Sequence, residues 1–522
     1  MIRQFLQFQH VLKRNTKARR SETSKRLCLP HSLSRFRTFD VSWFCLLAAI
    51  LTAACSTSPV PAAAAANGTS APPNLLVIQT DEHHFNTLGC YGGRIVATPH
   101  IDWLAENGAR ATSFYATTPV CSPSRSSFVS GRYPQNTPVI TNNVPMDDSV
   151  VTFAEILARQ GYAAGYAGKW HLDGSGKPQW GPEREFGFSD NRFMFNRGHW
   201  KKMEDTPEGP RVASRNAKDQ PDYGVAGADE KSFTTDWLAQ KAIDFIDVHH
   251  GEPFCYMVSF PDPHGPNTVR PPYDTMYAGV EVPIPASLDK TEEQTPKWGR
   301  GEKGVGEAQL RKIMPPYYGM VKCIDDNVGR ILQSLLGHGI LEKTIVVFTA
   351  DHGDLCGEHG RLNKGVPFEG SAKIPFVIYA AGRIPPGTVV DEALGCVDFL
   401  PTALGLMGVP TAGKEEGRDA SALFTGKRPA GWNDVAFLRS TGESGWLAAV
   451  SDRYKLIYSP QDRPWLFDLE HDPQELENAF DDPACRDAVK RLTAELIDYC
   501  KKCNDPRGDD PKMKAEMLSA LE

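Results

Sequence analysis

The feature that most constrains this chain is the alternation of short, uninterrupted apolar runs with amphipathic stretches. Asn74-Leu-Leu-Val-Ile-Gln-Thr80 and Thr344-Ile-Val-Val-Phe-Thr-Ala350 are the clearest runs, and a continuous apolar segment of that length reads as a buried strand. Thr98-Pro99-His-Ile-Asp-Trp-Leu104 has a capping residue, Pro at the first helical position, and Ile101 and Leu104 three apart, which predicts a helix. Continuing the reading gives strand 111–117, a helix from about 122, helix 150–160, strand 163–168, helix 232–248 and strand 254–260. A long helical region over 308–336, strand 375–380 and helix 396–407 complete it. This is an α/β pattern: a large, mainly parallel sheet sandwiched by helices. Ligands of such sheets bind beyond the carboxyl ends of the strands, where Asp81-Glu82 and Asp351-His352 fall.

The pattern changes after about residue 428. Val435–Leu438, Trp446–Val450, Tyr454–Tyr458 and Trp465–Phe467 read as hairpin strands, and 485–503 as a charged helix. We therefore expect a large α/β domain over 74–428 and a smaller subdomain, an antiparallel sheet plus helix, over 429–522. No repeat of 20–50 residues is present, which excludes a solenoid.

Charge narrows the function. The 522 residues carry 57 Lys+Arg and 64 Asp+Glu; residues 1–40 alone hold a net +8, leaving −15 on 41–522. Such an acidic body predicts no nucleic-acid partner, because phosphate contacts need clustered positive charge. A site for an anionic substrate must create its own local positive field.

The basic stretch 1–40 precedes the uncharged run Val41–Cys55, whose apolar core ends in small residues. That arrangement reads as an export signal, too short for a comfortable membrane span of about 20 residues. Cys55 follows two alanines and opens a Ser/Pro/Ala-rich linker over 56–73. The segment resembles a bacterial lipoprotein signal, whose cysteine would carry a lipid anchor to the membrane; a soluble signal cut within Ala62–Ala66 is the alternative. Either reading makes the mature protein periplasmic, surface-bound or secreted.

Beyond Cys55 nine cysteines remain. Setting Cys121 aside, eight could pair in an oxidising space, although Cys255 and Cys396 lie in apolar runs and read as free core residues. Cys500 and Cys503 are spaced for pairing or metal capture, a weak signal for a lone pair.

Thr118-Pro-Val-Cys-Ser-Pro-Ser-Arg-Ser-Ser-Phe-Val-Ser-Gly-Arg132 is the most informative segment. Cys121 stands at the start of a helix with Pro123 in its first turn and Gly131 at its end. Helix starts present free N–H groups and a positive dipole end, and Arg125 projects from the same face one turn on. A reactive group beside a guanidinium suits a tetrahedral oxyanion. The bland reading is a buried cysteine next to a surface arginine.

Cys-x-Pro-x-Arg followed by Ser and then Ser-Gly-Arg-Tyr-Pro134 resembles the signature of the type I sulfatases of the alkaline-phosphatase-like superfamily. Further landmarks follow in the family's order. They are Asn74–Glu82, Gly168-Lys-Trp-His-Leu172, Asp262-Pro-His-Gly-Pro266, Ala350-Asp-His-Gly-Asp354 with Gly357-Glu-His-Gly360 and Lys364, and Leu466-Phe-Asp-Leu-Glu-His-Asp-Pro-Gln-Glu475. The resemblance covers roughly 74–480 and rests on the combination of landmarks, since any one alone is weak.

The resemblance implies hydrolysis of sulfate esters. In that family the cysteine is converted to formylglycine by a formylglycine-generating or sulfatase-maturating enzyme, and one hydroxyl of the hydrated aldehyde attacks sulfur. Elimination through the second hydroxyl then frees sulfate, a step unmodified Cys121 could not perform. Asp81, Glu82, Asp351 and His352, with the matured Cys121, would hold one divalent cation, Ca2+ first and Mg2+ second, as oxygen-rich ligands favour. Glu82 departs from the family, which has a second Asp or a neutral amide there. Arg125, Lys169 and Lys364 would grip the sulfate. His171 would lie near the nucleophile and His264 near the leaving oxygen, with His264 the first choice of acid and Lys364 the second. His83 is insecure; His84 could reach substrate or be structural, and His359 could support Lys364 or fill its turn.

Two other readings remain open: a phosphonate or phosphate ester hydrolase on the same scaffold, and a non-catalytic glycan-binding lipoprotein. Export suggests a sulfated carbohydrate as the substrate. The insert 173–230, with Trp180, Phe186, Phe188, Phe193, Phe195 and Trp200, and the Lys/Glu-rich insert 282–306 could clamp a sugar or cover the core.

Overall fold

The buried runs assemble into one eight-stranded sheet. Its spatial order is Thr388–Val390, Ala109–Ala111, Phe376–Tyr379, Thr344–Ala350, Asn74–Asp81, Phe254–Pro263, Ala163–Lys169 and Asp190–Phe195. Phe376–Tyr379 is antiparallel to both its neighbours, and every other pairing in the sheet is parallel. This computed structural model describes residues 72–300 and 304–522, so the segment read as an export signal, Cys55 and nearly all of the expected 56–73 linker lie outside the described residues.

The sheet is buried because its central strands are apolar on both faces. Leu75, Leu76, Val77 and Ile78 have no exposed surface, and each such side chain contributes about 1.5–3 kcal/mol of burial. Side chains alternate along a strand. Leu75 and Val77, with Ile345 and Val347 beside them, enter a core shared with Phe128 and Phe399, whose rings stack 3.9 Å apart. Thr234–His249 packs on the Phe254–Pro263 strand and on the long helix Glu307–Gly337. That helix continues through Pro315-Pro316.

The segment after 428 folds as read. Ala436–Arg439, Leu447–Val450, Tyr454–Tyr458 and Trp465–Asp468 form an antiparallel meander in sequence order. One face, with Leu447, Leu456 and Tyr458, meets Leu492 and Leu496 of the helix Arg486–Lys502. The other face, with Val450, Ile457 and Phe467, meets Tyr115 and Phe368. Lys455 from this sheet is buried and reaches Glu369 and Glu475 at 2.7 and 2.8 Å.

Some expectations are corrected. Strand 111–117 is two short strands, Ala109–Ala111 and Phe114–Tyr115, separated by a bend at Thr112-Ser113. Asp190–Phe195 and the final helix Pro511–Leu521 were not expected at all. The nine described cysteines are all free thiols, so Cys500 and Cys503 form no bridge. Among the described residues no helix is long and apolar enough to cross a membrane.

Candidate active site

Strand register creates the site. Thr80 is the partner of Ala350, and the Asp351 N–H donates to the Thr80 carbonyl at 3.0 Å. Asp81 and Asp351 therefore leave the carboxyl edge of the sheet side by side, both fully buried. Ala163–Lys169 lies two strands away and delivers Lys169 to the same edge. Its delivery depends on Gly168, whose φ is +107° and where a Cβ would sit 2.0 Å from the Ser259 carbonyl oxygen, a position only glycine fills.

The helix Cys121–Ser130 completes the cluster, and all of its residues are buried. Gly131 ends it in the left-handed conformation, φ +66°, with its N–H on the Ser127 carbonyl. Cys121 is the first helical residue. Its Sγ lies 3.2 Å from His352 Nε2, 3.6 Å from Lys169 Nζ and 4.0 Å from Asp81 Oδ1. The next amide, Ser122 N–H, donates to Asn142 Oδ1 at 2.9 Å.

Arg125, one turn on, is directed entirely to the protein. Its Nε donates to Asp351 Oδ2 at 2.9 Å and Nη2 to Asp81 Oδ2 at 3.0 Å. Nη1 donates to Gln79 Oε1, Ser259 Oγ and the Lys169 carbonyl. Lys169 Nζ also takes Asp81 Oδ2. The Oδ1 atoms face His352 Nε2, at 3.9 Å from Asp81 and 3.5 Å from Asp351, and Asp351 Oδ1 also accepts from the Glu82 and His352 N–H groups at 3.2 and 2.9 Å.

A second group sits at the mouth. His264 Nε2 is 2.9 Å from Glu82 Oε2, and Lys364 Nζ is 3.1 Å from Glu82 Oε1. His264 Nδ1 donates to the Gly265 carbonyl at 2.8 Å, which fixes the ring. The Glu82 carboxylate is thus engaged by His264 and Lys364, on a residue with φ +58°. His171 places Nε2 3.0 Å from Asn143 Oδ1, and its carbonyl accepts from Ser122 Oγ at 2.7 Å.

The electrostatics are those of a strongly charged, buried site. Burial pushes the Asp81 carboxyl up, but Lys169 and Arg125 override it and hold it well below the usual range. Burial likewise opposes ionisation of the Cys121 thiol, yet Lys169 pulls it well below an ordinary cysteine. Burial would depress His352, while Asp351 raises it to about 9. Burial lowers His171. Burial would lower Lys364 too, and Glu82 reverses this.

The donor set fits a divalent cation. Asp81, Cys121, Asp351 and His352 each offer a ligand atom within 4.8 Å of the others, all buried. His352 Nδ1 donates to the Gly353 carbonyl at 2.9 Å, which orients the ring so that Nε2 points into the cluster. Asp81 and Asp351 offer carboxylate oxygens and His352 an imidazole nitrogen, a donor set for a divalent cation.

The structure brings together Asp81, Cys121, Arg125, Lys169, Asp351 and His352 around the cluster, and Glu82, His264 and Lys364 at the mouth. The less secure histidines make their side-chain contacts away from the four-residue cluster. His83 bridges Thr80 and Thr87 through its two ring nitrogens. His84 turns to Glu358 at 3.6 Å. His359 stacks on Phe368 at 3.5 Å, with Nδ1 3.1 Å from Lys290 Nζ. In the 173–230 insert Phe186, Phe188, Phe195 and Trp200 are core residues. The sequence reading missed His199, whose Nε2 is 2.9 Å from Lys169 Nζ and whose ring stacks on His264 at 3.4 Å. It lies in an insert without periodicity, so no spacing signal marked it.

Comparison with known proteins agrees with this geometry. The sulfatase family model matches residues 73–409. The model of the N-sulphoglucosamine sulphohydrolase C-terminal region matches 357–502. An arylsulfatase of Clostridium perfringens is 29% identical, over 81% of this chain and 94% of its own. An N-acetylglucosamine-6-O-sulfatase of Bacteroides thetaiotaomicron is 25% identical, over 85% of this chain and 89% of its own. Among solved structures, a phosphonate monoester hydrolase of Agrobacterium radiobacter shares the fold with a TM-score of 0.69 at 24% identity, covering 83% of this chain and 96% of that one. The sulfatase model spans well over half of the chain and includes the whole buried cluster, from Asp81 to His352. With its mostly parallel sheet and its C-terminal antiparallel meander, the chain belongs to the type I sulfatases of the alkaline-phosphatase-like superfamily, and is a sulfuric ester hydrolase.

Proposed function

We propose that this protein is an exported sulfatase that removes sulfate from a saccharide, using formylglycine made from Cys121 beside a divalent cation. The observation that carries the reading is the position of Cys121 Sγ, 3.2 Å from His352 Nε2 and 3.6 Å from Lys169 Nζ at the head of a buried helix. The carbohydrate substrate is supported by the resemblance to an N-acetylglucosamine-6-O-sulfatase. Export rests on the basic and then apolar amino terminus.

Asp81, Asp351, His352 and residue 121 would hold a divalent cation, Ca2+ by preference, while Glu82, expected as a further ligand, turns to His264 and Lys364 instead. When bound, it polarises a sulfate oxygen and lowers the pKa of a neighbouring hydroxyl. Formylglycine supplies a hydrated aldehyde as the nucleophile, after the action of a maturating enzyme. The chain's own side chains do the rest. Lys169 and Lys364 present ammonium groups to the sulfate oxygens, an electrostatic role that grows as charge develops. Arg125 acts through the two carboxylates it bridges and keeps them in register. His264 Nε2 delivers the proton to the departing alcohol oxygen, while Glu82 holds His264 and Lys364 at the right spacing. His171 lines the nucleophile's side. Residues 74–428 form the catalytic part in this reading, and 429–522 a supporting subdomain.

Two measurements test it. Mass analysis of the peptide spanning Cys121 is expected to find an aldehyde in place of the thiol. Matured protein screened on sulfated saccharides is expected to release sulfate, and the Cys121→Ala variant none. A fully active preparation with an unaltered thiol would overturn the mechanism. Faster turnover of chromogenic phosphate or phosphonate esters than of sulfate esters would overturn the substrate class.

A further inference from the structure

Three neighbours fix the position of His199. Gly198 adopts φ +122°, and a Cβ there would lie 2.3 Å from the Trp200 ring. Trp200 is buried and stacks on Tyr223 at 4.8 Å. Lys201 has no exposed surface; its Nζ bonds Asp262 Oδ1 at 2.5 Å and the His264 carbonyl at 3.3 Å. The same turn that carries His199 is therefore tied to the backbone of the His264 loop. Across that tie the two imidazoles lie face to face, 3.4 Å apart with an interplanar angle of 8°. On its edge, His199 Nε2 meets Lys169 Nζ at 2.9 Å.

We propose that His199 is a positioning residue of the sulfatase site, setting Lys169 by a hydrogen bond and His264 by stacking. The proposal rests on the sulfatase reading above and assigns the 173–230 insert a part in the reaction. A lysine ammonium only donates, so His199 Nε2 must be the acceptor and its proton must sit on Nδ1. That bond adds to the pull of Asp81 on the same Nζ and aims the ammonium at residue 121. Asp81, His199 and His264 also offer ligand atoms within 4.8 Å of one another. Lys169 already stands between Asp81 and His199, so the positive charge of this corner comes from the chain itself.

The two functions can be separated by substitution. His199→Gln keeps an acceptor for Lys169 and removes the ring; His199→Phe keeps the ring and removes the acceptor. We expect His199→Phe to lose about 10²-fold in kcat with little change in KM, as misplacement of a catalytic group does. His199→Gln is expected to recover most of that loss, and His199→Ala to be the weakest of the three. Equal kcat in His199→Phe and the parent, at equal thermal stability, would overturn the proposal. A second measurement needs no turnover. In the full mature chain labelled with 15N-histidine, His199 is expected to show a protonated Nδ1 and a bare Nε2, and the Nε2 signal should move in Lys169→Met. A protonated Nε2, or a signal indifferent to Lys169→Met, would overturn it even where His199→Phe fails to fold. Failure of the parent to release sulfate from any ester would instead defeat the functional reading, and the labelled spectrum would still report on His199.

Discussion

Lys364 Nζ stands 2.9 Å from His264 Nε2, and the one carboxylate of Glu82 is shared between them. Two groups that would otherwise repel or drift are held at a fixed spacing by a single buried anion. Glu82→Gln removes that anion while keeping the shape. We expect it to lower kcat about 10- to 100-fold, less than the roughly 10²–10⁴-fold of losing the acid–base group itself. Steady-state kinetics on a sulfate ester check this, with Glu82→Asp recovering part of the loss.

Arg125 neutralises two fully buried carboxylates from one guanidinium. Arg125→Met leaves Asp81 with Lys169 alone and Asp351 without its guanidinium partner. Removing one member of a buried ionic network costs about 3–5 kcal/mol. Urea denaturation of the variant is expected to show that loss, and an unchanged midpoint would contradict it.

Chelation tests the four-residue cluster. A cation that binds only the folded protein stabilises it by about 2.7 kcal/mol at a hundred times its Kd. Stripping the protein with a chelator is expected to lower the thermal midpoint and abolish sulfate release, with Ca2+ restoring both. Asp351→Asn should give a protein whose midpoint no longer responds to Ca2+.

A pH dependence follows from Glu358, behind the His84 loop. Burial, with Glu475 and Glu369 nearby, raises its carboxyl to about 8 from the ordinary 4.5. The folded state then binds a proton that the unfolded state has released across this window. Stability from this group is complete below about 4.5 and is lost as pH rises through about 8. Glu358→Gln does not titrate. Its unfolding free energy is expected to match the parent near pH 4.5 and to exceed it above pH 8 by roughly 1–3 kcal/mol. Urea curves at the two pH values decide it.

The central architecture was legible because its physics is local. Asn74–Asp81 and Thr344–Ala350 are unbroken apolar runs, and the structure places both strands where the runs lie. The Cys121 helix was legible from Pro123 and Gly131, and the C-terminal meander from its turns. Margins were less so. Asp190–Phe195 is half polar and gains its strand state by pairing with Ala163–Lys169, a partner no local pattern names. The bend at Thr112-Ser113 breaks a run that composition alone makes continuous. For the site, motif order found the residues around Cys121, because their spacing in the chain is fixed by the strands that carry them. His199 depends on contacts with Lys169 and His264, distant in sequence, so only the fold could reveal it.

Asp190–Phe195 is the last strand of the eight-stranded sheet, and the short antiparallel bridge of Trp180 to Phe195 lies beyond it. The segment that follows it, Arg197 to Tyr223, is anchored at Trp200 and at Lys201, which bonds Asp262 of an interior strand, so its freedom to vary lies beyond those anchors, in the exposed stretch 215–220. That stretch belongs to the same insert as His199, which reaches the reacting groups through Lys169 and His264. Relatives that differ in the sugar they accept are expected to differ most along this border, with Asp81 and Asp351 unchanged behind it.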